Sequence, residues 1–150
     1  FINFRMEISV LSARDETGNS QSYCPVENIH KHHILSETIA PARISQRLRD
    51  RAEAMAATIA EGLNLRGLLA IEMFVTENDE ILVNELAPRP HNSGHWTMDA
   101  CITGQFHQVI RAITGPLSRA VQVAQAVAAG DLSQELNASG NNETAQLLRA

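Results

Sequence analysis

Cysteines and long apolar runs, which mark disulfide-rich and membrane proteins, are scarce in this chain. Its two cysteines, Cys24 and Cys101, stand alone without the spacing of metal ligands, so we expect reduced structural thiols. No apolar run approaches the roughly 20 residues that a membrane-spanning helix needs, and the N-terminus lacks the pattern of a signal peptide. These absences lead us to expect a cytoplasmic protein with no membrane segment.

An excess of basic residues is also absent. The 12 Lys and Arg residues are outnumbered by 17 Asp and Glu residues, which gives a net charge of -5 at pH 7. This charge argues against nucleic acid as a partner, because a phosphate backbone calls for a basic face. The hydrophobic fraction of 44% over 150 residues is enough for one modest core.

A β-hairpin is predicted in the middle of the chain. Two apolar runs rich in β-branched residues, 70–75 and 81–86, are separated by the polar residues 76–80, which suit a tight turn. The simplest connection is a two-residue loop made of Asn78 and Asp79. That loop fixes which residues of the two strands lie opposite each other.

The predicted hairpin places Glu72 directly opposite Glu85. Cβ atoms of such a pair are roughly 4.5–5.5 Å apart, and like charges at that separation destabilise a sheet. A divalent cation of the magnesium type binds one or two carboxylates and completes its shell with water and nucleotide phosphate oxygens. The pair therefore indicates a metal site. An exposed pair on a solvated face, or a one-residue error in register, stays open.

The segment from Asn84 to Thr97 combines an acid, a guanidinium, two imidazoles and two amides in a turn-rich run, which is typical of an anion-binding site. Arg89 lies between two prolines, so it is held where it could bind phosphate or carboxylate with two hydrogen bonds. A salt bridge to a local acid is the alternative. Strand alternation places Asn84 on the opposite face from Glu85, so we do not expect it to bind the metal.

These residues carry a family resemblance. Residues 71–76, 84–97 and 105–113 resemble the ATP-grasp enzyme 5-(carboxyamino)imidazole ribonucleotide synthase, and residues 3–10, 25–30 and 34–35 resemble the strands before them. The resemblance covers residues 1–113. A formate-dependent purine enzyme shares the Asn-Glu and Pro-Arg-Pro-His pattern, but Asn92-Ser93-Gly94-His95-Trp96 favours the first family.

The resemblance implies a reaction with ATP and magnesium as cofactors. ATP would phosphorylate bicarbonate, and the carboxyphosphate would carboxylate 5-aminoimidazole ribonucleotide. The resemblance implies these roles: magnesium binding by Glu72 and Glu85, carboxyphosphate stabilisation by Arg89, ribonucleotide binding by His91, Asn92 and Arg111, and nucleotide binding by Glu7 and Asn84. Alternatives stay open for some of them. Arg111 could face solvent, Asn92 could form a turn, and Glu7 could be an exposed strand acid.

Family members carry an N-terminal nucleotide-fold domain, an ATP lid and an adenine hinge ahead of the segment seen here. We therefore expect this chain to lack half of the ATP site and to be inactive alone. A catalytically dead scaffold is a further possibility.

The periodicity predicts an α+β fold in which antiparallel hairpins are covered by helices. Strands are expected near 5–13 and 20–26, and the histidines His30, His32 and His33 on a loop. Ser45 can cap a helix to residue 61, which buries Leu48, Ala52, Met55 and Ile59. A second helix over 104–113 is expected to present Phe106, Val109, Ile110 and Ile113 to the core.

Residues 114–150 differ in character. An alanine- and valine-rich helix is followed by Gly130-Asp131-Leu132 and by an acidic start to a second helix at Glu143, which resembles the HAMP signalling module. Asn142 and Ala145 depart from the usual pattern there. The resemblance implies a parallel dimer and hence a possible homodimer, in a fusion or truncated chimera. An amphipathic helix packed on the enzyme core, followed by a tail, is the alternative.

Overall fold

Antiparallel pairing organises the part of the chain that the computed structural model describes, residues 2–115. The predictions for residues 116–150 lie outside it. The elements in chain order are β1 (Met6–Arg14), β2 (Ser20–Ser22), β3 (Val26–Lys31), β4 (Ile34–Ile39), α1 (Gln46–Gly62), β5 (Gly67–Val75), β6 (Ile81–Ala87), a 3-10 turn (Asn92–Gly94), α2 (Thr97–Ala100) and α3 (105–115).

All six strands belong to one sheet, in the order β4-β3-β1-β5-β6, with β2 paired to β1 at one end. Every pairing is antiparallel, which confirms the predicted α+β class with hairpins. The predicted strand at 20–26 is divided, because β2 ends at Ser22 and β3 begins at Val26 to pair with a different part of β1. No helix within residues 2–115 is long and apolar enough to cross a membrane.

Helix α1 covers one face of the sheet, which we call the helix face. Its first turn is capped as predicted, since the Ser45 hydroxyl accepts from the backbone N–H of Leu48. The small side chains of α1 let it approach the strands closely, and the buried residues are Leu48, Ala52, Ala56 and Ala60. Met55 and Ile59, predicted for the same stripe, are only partly buried. The main core lies between this helix and β1 and β5.

A charged contact ties the start of α1 to the sheet. The Glu27 carboxylate accepts hydrogen bonds of 2.9 and 2.6 Å from Nε and Nη2 of Arg43, in the loop before the helix. These bonds hold the pKa of Glu27 below its usual value despite burial. The pair satisfies a carboxylate on the buried face of β3, where an unpaired charge would destabilise the fold.

The opposite face of the sheet, which we call the open face, divides into two parts. One end carries a small apolar cluster of Leu11, Ala13, Leu68, Ala70 and Ala87, against which Val109 of α3 packs. The other end carries polar side chains from β1, β3, β5 and β6.

Helix α3 forms as predicted, but its predicted core face is only partly correct, because Val109 packs on the small apolar cluster and Ile113 borders Gly67 of β5. Phe106, Ile110 and Ile113 are 46%, 59% and 56% exposed, while Gln105 and Ala112 are buried. The Gln105 side chain bonds to backbone atoms of the preceding segment and sets the rotation of the helix. Phe106 and Ile110 therefore lie largely on the outer side.

Candidate functional site

The hairpin of β5 and β6 brings Glu72 opposite Glu85, as predicted, but by a different route. The loop is longer than the predicted two residues, because the last strand pair is Val75 with Ile81. Asp79 adopts the left-handed region with a φ of 60° to close this loop. A β-bulge between Met73 and Glu72 then restores the pairing that a two-residue loop would have given.

The bulge also changes the argument about Asn84. Met73 pairs with Val83 and Glu72 pairs with Glu85, which leaves Asn84 as the extra residue of β6. An extra residue interrupts the alternation of side chains and often re-aims one of them near a site. The bulge therefore removes the regular alternation on which the predicted orientation of Asn84 rested, and that orientation stays a prediction. Asn84 is exposed beside the glutamate pair.

The two carboxylates differ in burial. The Glu72 side chain is 16% exposed on the interior strand β5, while Glu85 is exposed on the edge strand β6. Like charges on opposed strand positions destabilise the sheet unless a positive group is close. His91 supplies a nearby polar hydrogen, since its Nε2 lies 3.7 Å from Oε1 of Glu72.

The ring of His91 is oriented by the turn that follows it. Its Nδ1 accepts from the backbone N–H of Ser93 at 3.3 Å and lies 2.9 Å from the Ser93 hydroxyl. An Nδ1 that accepts leaves the proton of the neutral ring on Nε2, which is the nitrogen that faces Glu72. The side chain is therefore held with its N–H toward the carboxylate.

Gln105 anchors the backbone of His91. Its Oε1 accepts from the His91 N–H at 2.8 Å, and its Nε2 donates to the His91 carbonyl at 2.8 Å. The amide is completely buried, and the two bonds satisfy both of its ends. Sequence reasoning missed this residue. Its role depends on a contact between residues 91 and 105 that forms only on folding, and no sequence pattern indicates that contact.

Gly94 allows the segment to fold back onto the open face. A Cβ at this position would overlap the side chain of Leu11 and would lie 2.5 Å from Oε1 of Gln105. The Gly94 carbonyl accepts a 2.6 Å hydrogen bond from the buried Thr97 hydroxyl, which in turn accepts from the backbone N–H of Gln105. This close packing places His91 over Glu72.

Arg89 is available to an anion. It lies two residues after the end of β6, its side chain is exposed, and its Nη1 donates to the Pro90 carbonyl at 3.0 Å. Among residues 2–115 its guanidinium contacts no carboxylate, so the alternative of a local salt bridge is not supported. The remaining donors can bind phosphate or carboxylate.

Asn92 lies beside a polar cavity of about 380 Å³ between β4 and the 3-10 turn, lined by Leu35, Ser36, Glu37, Thr38, Asn92 and His95. His95 stacks on Phe106 with ring centroids 6.3 Å apart. Trp96 packs edge-on against Tyr23 at 6.2 Å, as expected for a packing residue.

The structure does not bring Arg111 close to Glu72, Glu85 and His91. Its Nη1 donates to the Thr103 hydroxyl at 3.2 Å, and it borders a separate cavity with Asp15 and Ala13. Strand β1 runs from Ala13 at that cavity to Ser9 opposite Glu72, which are four residues apart on an extended strand and hence separated by roughly 13 Å. The prediction of Arg111 as a member of the same site is therefore not supported by its position, because α3 points it toward the loop after β1.

Glu7 lies on the open face, next to the side chain of His30. Nδ1 of His30 lies 2.6 Å from Oε2 of Glu7, although without an aligned hydrogen bond. The prediction of a loop for the three histidines is correct only for His32 and His33, which form the turn between β3 and β4. His30 is on β3 and was missed, because the pairing of β3 with β1 is not visible in the sequence.

The carboxylate pair has the ligand chemistry that a magnesium ion prefers. Residues 2–115 contain no group of three His, Cys, Asp or Glu side chains arranged to hold a metal ion by themselves. Magnesium usually takes only one or two carboxylates and fills its other positions with water and substrate phosphate oxygens. Glu72 and Glu85 would supply the two carboxylates of such a site.

Comparison with known families gives two matches. The model described as the ATP-grasp domain matches residues 1–106, and the model described as the HAMP domain matches residues 109–150. Both resemblances seen in the sequence are thereby confirmed. The boundary between residues 113 and 114 stays a prediction.

The chain is 49% identical over 120 residues to the N5-carboxyaminoimidazole ribonucleotide synthase of Bacillus subtilis, with 79% of this chain and 32% of the relative covered. The crystal structure of an ADP complex of N5-carboxyaminoimidazole ribonucleotide synthetase is 50% identical with a TM-score of 0.75, covering 77% of this chain and 30% of that one. The Aspergillus clavatus synthase, in complex with ADP and 5-aminoimidazole ribonucleotide, is 33% identical with a TM-score of 0.71, covering 75% and 30%. This chain spans about a third of the length of these relatives.

Gly94→Ala is expected to lower the free energy of unfolding by about 1–3 kcal/mol, because the added methyl group overpacks the contact with Leu11 and Gln105. Urea unfolding of the Gly94→Ala variant and of the unaltered chain measures the difference in unfolding free energy. Gly62→Ala is the matched control, since nothing lies within 4 Å of its added Cβ. Equal stability of the Gly94 variant and the unaltered chain would contradict the close approach described here.

Proposed function

Because the chain belongs to the ATP-grasp family, we propose that it supplies the magnesium- and phosphate-binding side of an ATP-dependent carbon–nitrogen ligase. The substrates would be ATP, bicarbonate and 5-aminoimidazole ribonucleotide, as the names of its relatives suggest. The observation that carries the proposal is the opposed pair of Glu72 and Glu85, with His91 held beside it. The activity, substrates and cytoplasmic location of the whole enzyme are part of this proposal.

Glu72 and Glu85 would hold magnesium. The bound ion would neutralise charge on the ATP phosphates, and phosphoryl transfer depends mainly on such positioning and charge stabilisation. The protein's own contribution is to keep two carboxylates at one place on a rigid sheet. The interior strand β5 fixes Glu72, and the bulge in β6 fixes the approach of Glu85.

Arg89 would bind the anion formed from bicarbonate and phosphate. Its backbone is fixed by the neighbouring prolines, and its guanidinium has donors left after the bond to the Pro90 carbonyl. His91 and Asn92 would contact the ribonucleotide substrate. The Gln105 anchor and the Ser93 contact support this role for His91, because they fix both its backbone and its ring.

Glu7 and Asn84 would contact the nucleotide. Both lie beside the carboxylate pair: Glu7 is two residues from Ser9, which pairs with Glu72, and Asn84 precedes Glu85. We leave Arg111 out of the site because its guanidinium bonds to Thr103 at another cavity.

A complementation assay tests the proposal. The 150-residue chain is mixed with the N-terminal part of the Bacillus subtilis relative that it does not match, and phosphate release is followed with ATP, magnesium, bicarbonate and 5-aminoimidazole ribonucleotide. We expect release above either component alone. Glu85→Gln should lower the rate by about 100-fold or more, since it removes a carboxylate ligand of the magnesium ion that would stabilise charge on the transferring phosphate.

Glu77→Gln is the matched control, since Glu77 is an exposed acid in the loop of the same hairpin. It should leave the rate unchanged. Absence of release in the mixture, together with no magnesium-nucleotide binding by the chain, would contradict the ligase proposal and favour a catalytically dead scaffold.

A dimerising signalling module is the second candidate. The HAMP match includes the last part of α3, and on this helix Phe106, Ile110 and Ile113 leave an apolar stripe exposed at spacings of four and three residues. Such spacing is typical of helices that pack against each other along a seam. We propose a homodimer in which this stripe and residues 114–150 contact a second copy.

Sedimentation velocity tests the dimer. The 150-residue chain is expected to sediment as a dimer, and deletion of residues 114–150 should give a monomer. Replacing both Ile110 and Ile113 by Glu should also weaken the dimer, because it places like charges in the seam. A monomeric full chain at a concentration of about 1 mM, where weak association is populated, would overturn this candidate.

A further inference from the structure

The side chain of Asn28 is a buried amide on the open face. Asn28 of β3 lies opposite Glu7 of β1 and opposite Thr38 of β4. It is 5% exposed, and among residues 2–115 neither its Oδ1 nor its Nδ2 has a hydrogen-bond partner. Its neighbour Glu27 faces the helix face and is fully bonded to Arg43, so the unpaired group is confined to the ligand side of β3.

An unpaired amide at this position disfavours the folded chain. Burial removes both polar ends from water, and a donor or acceptor left without a partner costs its full desolvation free energy. Leucine has a similar shape and would fill the same space without that cost. Protein structure alone therefore gives no reason for an asparagine here.

The surroundings indicate the chemistry that the amide would meet. Glu7 and its 2.6 Å contact with Nδ1 of His30 lie on one side. The Ser9 position, next along this face of β1, leads to Glu72 on β5. An amide offers one acceptor and two donors, which suits an oxygen-rich group such as a sugar hydroxyl or a phosphate.

We propose that Asn28 is a nucleotide-binding residue whose amide bonds to an oxygen of the nucleotide, either on the sugar or on the phosphates. This inference rests on the proposed function, because it needs a nucleotide on the open face. It adds a ligand group from β3 to those already assigned on β1, β5 and β6. The nucleotide would then contact four strands of the sheet.

Ser12 offers a matched control. It is also completely buried, and its hydroxyl is likewise unpaired among the described residues. It pairs with Leu69, a residue of the core under α1, and so lies on the helix face. Ser12→Ala removes an unpaired polar group from the sheet without touching the open face.

The experiment compares the unaltered chain, Asn28→Leu and Ser12→Ala by thermal unfolding and by ligand titration followed by NMR. The ligands are ADP with magnesium, adenosine, and pyrophosphate with magnesium. Without ligand, we expect both variants to unfold at the same temperature as the unaltered chain or higher. The affinity of Asn28→Leu for ADP should fall about ten-fold, the effect of one hydrogen bond, while Ser12→Ala should bind as the unaltered chain does.

The adenosine and pyrophosphate titrations identify the bonded group. Weaker adenosine binding by Asn28→Leu places the amide at the sugar, and weaker pyrophosphate binding places it at the phosphates. A lower unfolding temperature for Asn28→Leu would overturn the inference, because the amide would then have a structural partner. Equal ADP binding by Asn28→Leu and the unaltered chain would overturn the role of Asn28 but would leave the proposed nucleotide site standing. No binding by any of the three chains would overturn the proposed nucleotide site and the inference with it.

Discussion

Two carboxylates on neighbouring strands give the open face a local concentration of negative charge. Glu72 and Glu85 occupy opposed positions of β5 and β6, where their charges repel unless a cation binds between them. The surrounding structure fixes the positions of these two carboxylates. The bulge sets the register, and pairing on both sides of β5 fixes the backbone of Glu72. The segment after β6 folds back and holds Nε2 of His91 3.7 Å from Oε1 of Glu72. A site of this kind depends on rigid elements for its geometry and on its ligand for charge balance.

The segment after β6 folds back onto the open face, and this close contact requires small and polar residues. Gly94 provides room above Leu11, and the buried amide of Gln105 satisfies the backbone of His91 on both sides. Thr97 connects the same two points through its hydroxyl. These residues bond within the segment and so leave Arg89 and Asn92 exposed to a ligand.

Local patterns predicted much of the fold and part of the site. The Ser45 cap, helix α1 and the β5–β6 hairpin follow from short-range signals. The opposed glutamates were predicted with the wrong loop, because a longer loop and a bulge offset each other. The rotation of α3 and the pairing of His30 with Glu7 depend on contacts between distant residues. No local period contains that information, so the buried face of α3 and the part played by β3 had to come from the folded chain.

A double-mutant cycle on Glu72 and Glu85 tests the account most directly. Unfolding free energies are measured for the unaltered chain, Glu72→Gln, Glu85→Gln and the double variant, without divalent cations and with magnesium. Repulsion predicts that Glu85→Gln raises stability without cations, with a coupling energy of about 0.2–1 kcal/mol between the two positions, and that magnesium removes this advantage. Additive effects of the two substitutions, unchanged by magnesium, would contradict the shared cation site.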